Sequence, residues 1–306
     1  LFADPNFFCV NDSCGRLRWD SMRTFHLSPR SPDFIGIGAQ KAGTTWLHSQ
    51  LKQHPEIWLP ATKELHFFNS NNSSRPTDWY QSHFASASPQ CLTGEVTPAY
   101  AICNPHQIEH MHAVCPHAKL LFLLRNPVDR FWSQCLMKQA AGELAVDDHA
   151  AAIAFFESSI GRPRGDYLQT IDNFCRLYHP SQILLIFFDA IARSPQQILS
   201  DVFSFLDLPD HPIPAAHLNL TIGSAATSTP MPEELRQHVA ESYQQGITLL
   251  ADLFASHASN WLENLPRGSG SRTPLSIDHP ATIRLRQDHV DQIWARTSVR
   301  AMEQFA

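Results

Sequence analysis

The 306-residue chain has no run of 18 apolar residues, no Cys-x-x-Cys pair and no excess of basic residues. Without such a run the sequence offers no transmembrane segment. The seven cysteines, at 9, 14, 91, 103, 115, 135 and 175, are odd in number and scattered. Neither a dense disulfide framework nor a thiolate metal site is expected from that spacing, and reduced thiols are the plainer reading. Lys+Arg of 23 against Asp+Glu of 29 gives a net charge of −6. That balance disfavours nucleic acid or a long polyanion as partner and favours a neutral or cationic small molecule. The opening LFADPNFF lacks the basic flank and apolar core of a secretion signal, and the expectation is a cytoplasmic chain.

What is present is a repeated strand–turn–helix grammar and, at 43% hydrophobic residues, enough apolar content for a substantial core. DFIGIG (33–38) runs into glycine and then a helical pattern through Leu47 and Leu51. KLLFLL (119–124) is followed by Asn126-Pro127-Val128-Asp129, which reads as a helix cap with a first-turn proline. QILLIFF (182–188) is followed by Ser194-Pro195-Gln196-Gln197, which reads as a capping box. Continuous apolar strands of this kind are buried on both faces of a parallel sheet. The predicted fold is α/β, a three-layer sandwich with a mostly parallel central sheet. Residues 1–30 read as an irregular N-terminal extension and 31–265 as the main domain. Residues 266–306 read as a linker and a helical segment docked on the same domain, the linker being PRGSGSRTP (266–274).

Between the first strand and its helix lies GAQKAGTTW, residues 38–46. Gly38 and Gly43 have the spacing of a nucleotide-triphosphate loop, but Lys41 precedes Gly43 and Thr44 fills the lysine's slot. Backbone N–H groups at such a turn converge on an anion, with Lys41 at the lip. The 119–124 strand ends in Arg125-Asn126 and not in a magnesium-binding aspartate. Magnesium-dependent phosphoryl transfer therefore loses its two usual supports. A P-loop kinase or NTPase remains the alternative enzyme, and an inactive nucleotide-binding scaffold the alternative without chemistry.

AQKAGTTW resembles the 5′-phosphosulfate loop of sulfotransferases that use 3′-phosphoadenosine 5′-phosphosulfate (PAPS), whose core is P-loop-like. The resemblance implies that Lys41 touches the phosphosulfate and helps expel the nucleotide, while Ala42, Gly43, Thr44 and Thr45 hold the 5′-phosphate. Trp46 matches a tryptophan that packs against adenine. RNPVDRFWS (125–133) resembles the family's 3′-phosphate clamp and implies that role for Arg125 and Ser133. From the residues alone, Arg130 is the alternative ligand. KELHFF (63–68) resembles the segment of heparan-type and bacterial members that supplies a catalytic glutamate, here Glu64. His66 is the candidate to orient it, to bind acceptor or to act as base in its place. GEVTPAY (94–100) matches the same branch and makes Glu95 and Tyr100 candidate acceptor-pocket residues.

The implied reaction is metal-free transfer of a sulfuryl group from PAPS to a hydroxyl or amine, releasing adenosine 3′,5′-bisphosphate (PAP). The expected acceptor is a small polar natural product, with polysaccharide or carrier-bound acceptors as alternatives. Val96 stands where the heparan-type pattern often has lysine, which fits a less anionic acceptor. Residues 217–232, where relatives close over the nucleotide with a basic loop, contain no Lys or Arg. Closure then falls to Gly223 and its hydroxyl-bearing neighbours, or to Arg236 or Arg267.

Overall fold

The computed structural model describes residues 7–11, 17–21, 30–70, 75–218, 229–254, 257–263 and 280–303. Its first elements lie in the segment expected to be irregular. β1 (Phe7–Asn11) and β2 (Leu17–Ser21) form an antiparallel hairpin with Cys9 opposite Trp19. The main sheet then takes β3 (Phe34–Gly38), β4 (Ile57–Trp58), β5 (Leu92–Val96), β6 (Lys119–Leu124), β7 (Ile183–Phe187) and β8 (Thr282–Arg284) in the spatial order β4-β5-β3-β6-β7-β8. Every pairing is parallel except β7 with β8. All residues of β3 and β7 are buried, as are the last five of β6. That is possible only with both faces covered, which is why these strands are apolar throughout.

The helices are α1 (Thr44–Leu51), α2 (Thr77–Ser82), α3 (Pro105–Val114), α4 (Pro127–Ala140), α5 (His149–Phe156), α6 (Tyr167–Cys175), α7 (Phe188–Ile191), α8 (Pro195–Phe205), α9 (Glu233–Phe254), α10 (His257–Glu263) and α11 (Gln287–Glu303). Three of the strands run directly toward the helices expected of them: β3 to α1, β6 to α4, and β7 to α7 and α8. The loop ends at the carboxyl edge of β3 and β6 meet there, where open parallel sheets bind ligands.

The cap at α4 forms as the sequence indicates: the Val128 amide donates to the Asn126 side chain at 3.0 Å. The box at α8 does not. Ser194 makes no side-chain cap bond, and the glutamines that would complete the box are engaged elsewhere: Gln196 accepts from the Ile213 amide and Gln197 donates to Asp201. The C-terminal segment, read as linker and helix, also contributes a strand. β8 pairs with β7, Leu184 opposite Arg284, before α11 begins. The 266–274 linker lies outside the described residues. Arg130, the alternative phosphate ligand, is fully buried, donating to Gln134 at 2.9 Å and the Gly161 carbonyl at 3.1 Å.

The two caps give a paired test by denaturant unfolding. Asn126→Ala should lose about 1 kcal/mol, the usual worth of an N-cap side chain, while Ser194→Ala should stay within about half of that. Equal losses would contradict the cap assignment.

Candidate active site

The turn after β3 is tied down at its first residue, where the Ala39 amide donates to the Leu123 carbonyl of β6 at 2.8 Å. Lys41 then takes φ +69° and Gly43, the N-cap of α1, takes φ +94°. A Cβ on Gly43 would lie 2.8 Å from the Ile191 side chain and 3.1 Å from Phe188. Neither conformation nor space tolerates a side chain there. No side chain caps α1 and no acidic residue stands in its first turn. Its leading amides are thus left for an external anion. Ala42 and Thr44 are buried beneath this turn and Thr45 is exposed.

Arg125, at the end of β6, reaches across and donates through Nη1 to the Lys41 carbonyl at 2.9 Å. Its guanidinium lies 4.6 Å from the centre of the Phe188 ring. The Tyr167 hydroxyl donates to its carbonyl at 2.6 Å. Burial, and then the Arg125 charge, lower the Lys41 pKa; burial likewise lowers that of Arg125. Beside Arg125 a cavity of about 290 Å³ is lined by Ser133, Asp129, Trp132, Thr229 and Arg236 among others. Arg236 comes from the first turn of α9 and sits 3.5 Å from the Asp129 carboxylate. Of the three closing candidates, Arg236 reaches this cavity; Gly223 and Arg267 lie outside the described residues.

The segment 217–232 is fixed at both ends by residues of the two motif helices. Trp46 donates to the Leu218 carbonyl at 3.0 Å and Gln50 to that of His217 at 2.8 Å. Trp132 donates to the Thr229 carbonyl at 2.8 Å. Trp46 is only 5% exposed, its indole held against Leu218.

The Glu64 turn is unusual in its backbone. Glu64 has φ +63° and His66 φ +53°, values that side chains other than glycine adopt sparingly. Lys63 pairs with Glu64 Oε1. His66 presents Nε2 3.6 Å from Oε2, while its Nδ1 lies 3.1 Å from Asn69 Oδ1. Two further basic side chains, which sequence reasoning missed, feel the Glu64 charge. His48 of α1 has its pKa lowered by burial and then by Lys63 and Lys52, with Glu64 opposing. Arg164 is pushed down to about 10 by burial and by Arg130, again with Glu64 opposing. Its Nε is buried without a hydrogen-bond partner. No motif marks either residue; only the fold brings them to the turn.

Glu95 and Tyr100, expected to line the acceptor pocket, are instead sealed under the turn at 2% and 0% exposure. Both faces of this part of the sheet are covered. Glu95 sits in β5, which lies inside the sheet next to β3. Val96 is also buried, its methyl groups close against Gly36. A lysine's absence at 96 therefore carries no information about acceptor charge.

The sulfotransferase-domain family model matches residues 31–245. The chain belongs to that family. Human bifunctional heparan sulfate N-deacetylase/N-sulfotransferase 3 is 29% identical over 238 residues, 69% of this chain and 26% of that protein. A membrane-associated sulfotransferase of Dictyostelium discoideum, kil1, is 42% identical over 106 residues, 34% of this chain and 22% of its own length. Human heparan sulfate glucosamine 3-O-sulfotransferase 5 is 26% identical over 64% of this chain and 59% of that protein. The chain thus spans well under two thirds of these relatives. A sulfotransferase from Alicyclobacillus acidocaldarius has a similar fold, with a TM-score of 0.63 and 26% identity, covering 76% of this chain and 99% of that one. Among the described residues no helix is long and apolar enough to cross a membrane.

The depressed Lys41 pKa gives a pH test. Its charge is lost at lower pH than the ordinary 10.5, so PAP affinity should fall as pH rises toward that value, and Lys41→Arg should flatten the decline. Titration calorimetry across this range checks it; a flat wild-type profile would contradict the placement of Lys41.

Proposed function

We propose that the chain transfers a sulfuryl group from PAPS to a hydroxyl or amine, releasing PAP. One observation carries the reading: Arg125 bonds the Lys41 lip of the anion turn and also lines a cavity with Ser133 and a second arginine, Arg236. A cradle of helix amides for one phosphate, beside a two-arginine cavity for another, fits a nucleotide phosphorylated at two separated positions. Gly43, Thr44, Thr45 and Lys41 would hold the 5′ end, with Trp46 toward the base. Arg125, Ser133 and Arg236 would hold the 3′-phosphate. Arg236 would supply the cation that 217–232 lacks.

Bound PAPS supplies an activated sulfuryl group whose departure builds charge on the oxygen bridging phosphorus and sulfur. Lys41 presents its ammonium at the lip of the turn to neutralise such charge. Glu64 takes the proton of the attacking hydroxyl or amine. Lys63 and His66 hold the Glu64 carboxylate from two sides, and His66, anchored at Nδ1 by Asn69, stands beside the base to orient it. We propose that no metal is required.

The acceptor side favours a neutral small polar molecule over a cationic one, since Lys63 and Arg164 already surround Glu64. The relatives named for heparan sulfate make a glucosamine polymer the principal alternative. Five described cysteines are free, and burial pushes four thiols, Cys103, Cys115, Cys135 and Cys175, up to about 12. Inert reduced thiols fit a cytoplasmic setting.

Two experiments test the reading. PAP and adenosine 5′-monophosphate differ in the 3′-phosphate, so Arg236→Met should weaken PAP binding about tenfold, or ~1.4 kcal/mol, and leave the monophosphate unchanged. Equal loss for both ligands would sink the Arg236 assignment. With labelled PAPS and pooled acceptors, transfer should persist in chelator and fall on the order of 10²- to 10⁴-fold in Glu64→Gln, with PAP affinity retained. Chelator-sensitive ATP turnover in its place would favour a kinase.

A further inference from the structure

Glu95 is a buried carboxylate surrounded by hydroxyls. Tyr80 donates to Oε1 at 2.6 Å, Tyr100 to the same oxygen at 3.1 Å, and Thr97 to Oε2 at 2.7 Å. The nearby Leu65 amide also favours the charged form of this carboxylate, against the burial that raises its pKa. An ionised carboxylate is acceptor-only and has room for about four such bonds. The same Tyr100 hydroxyl that donates to Glu95 accepts from the Phe67 amide at 3.1 Å.

The positions of these bonds alternate with the strained ones. Glu64 and His66 hold left-handed backbone, while the Phe67 amide is gripped from below by Tyr100 and the Leu65 amide lies where it favours the Glu95 charge. Strained residues persist only where their surroundings over-determine them. The ring packing of Phe67 on Tyr80 and of Phe68 on Tyr100 adds bulk support. Apolar packing resists collapse of the turn but does not fix its peptide planes; hydrogen bonds to individual amides do.

We infer that Glu95 and Tyr100 are positioning residues for Glu64: their hydrogen bonds hold the 64–67 turn so that the Glu64 carboxylate faces the acceptor side. This rests on the reading of Glu64 as the base. Neither residue touches substrate, since both are buried.

The test uses the whole chain saturated with PAP and three variants. Tyr100→Phe removes the hydroxyl that joins Glu95 to the turn. Glu95→Gln places a donor amide among donors. Tyr178→Phe, whose hydroxyl bonds the Cys115 carbonyl, is a buried-tyrosine control away from the turn. Amide hydrogen exchange at Leu65 and Phe67 should rise about tenfold in Tyr100→Phe and in Glu95→Gln, and not in the control. Sulfuryl transfer from labelled PAPS to an N-deacetylated heparosan polymer, the probe acceptor, should drop at least about tenfold in kcat, with KM for PAPS within about twofold.

Unchanged exchange at these amides in Tyr100→Phe overturns the inference, even if Glu95→Gln fails to fold. So does unchanged kcat beside faster exchange. A wild-type chain that binds no PAP would instead remove the sulfotransferase reading. Undiminished transfer by Glu64→Gln would remove the base assignment while leaving the exchange result to stand.

Discussion

The bond from Arg125 to the Lys41 carbonyl joins two loops 84 residues apart in sequence, and the rest of the site is arranged around it. It brings two cations together in a half-buried place. Burial opposes both charges, and the Arg125 charge further disfavours the Lys41 proton. Asp129, Asp189 and the Tyr167 hydroxyl offset part of this at Arg125. A cradle built this way is primed for an anion of high charge, because binding relieves the repulsion that folding created.

Much of this was legible before any coordinates. β3, β6 and β7 are apolar throughout because both of their faces are covered, and Asn126-Pro127 announces α4 in the chemistry of its cap. β5 was not legible: LTGEV carries a glycine and a carboxylate, and its strand state comes from pairing between β3 and β4. β8 is three residues long and owes its existence to the free edge of β7. At α8 the cap signal was present but its glutamines are engaged elsewhere.

The site was legible in composition and less so in direction. Motif similarity singled out Lys41, Arg125, Ser133 and Glu64; the fold joins Arg125 to Lys41 by a hydrogen bond and to Ser133 in one cavity. The similarity did not show that Glu95, Val96 and Tyr100 are buried, since a motif names residues without saying what the fold packs over them. His48 and Arg164 left no local signal. The net charge of −6 does not describe the surroundings of Glu64, where Lys63 pairs with the carboxylate and Arg164 feels its charge.

A crystal structure of the chain grown with PAP tests the central claim most directly. The account predicts the 3′-phosphate within hydrogen-bond distance of Arg125, Ser133 and Arg236, and the 5′-phosphate on the amides of Gly43, Thr44 and Thr45 beside Lys41. A nucleotide bound elsewhere, with Arg125 and Arg236 contacting no phosphate, would contradict it.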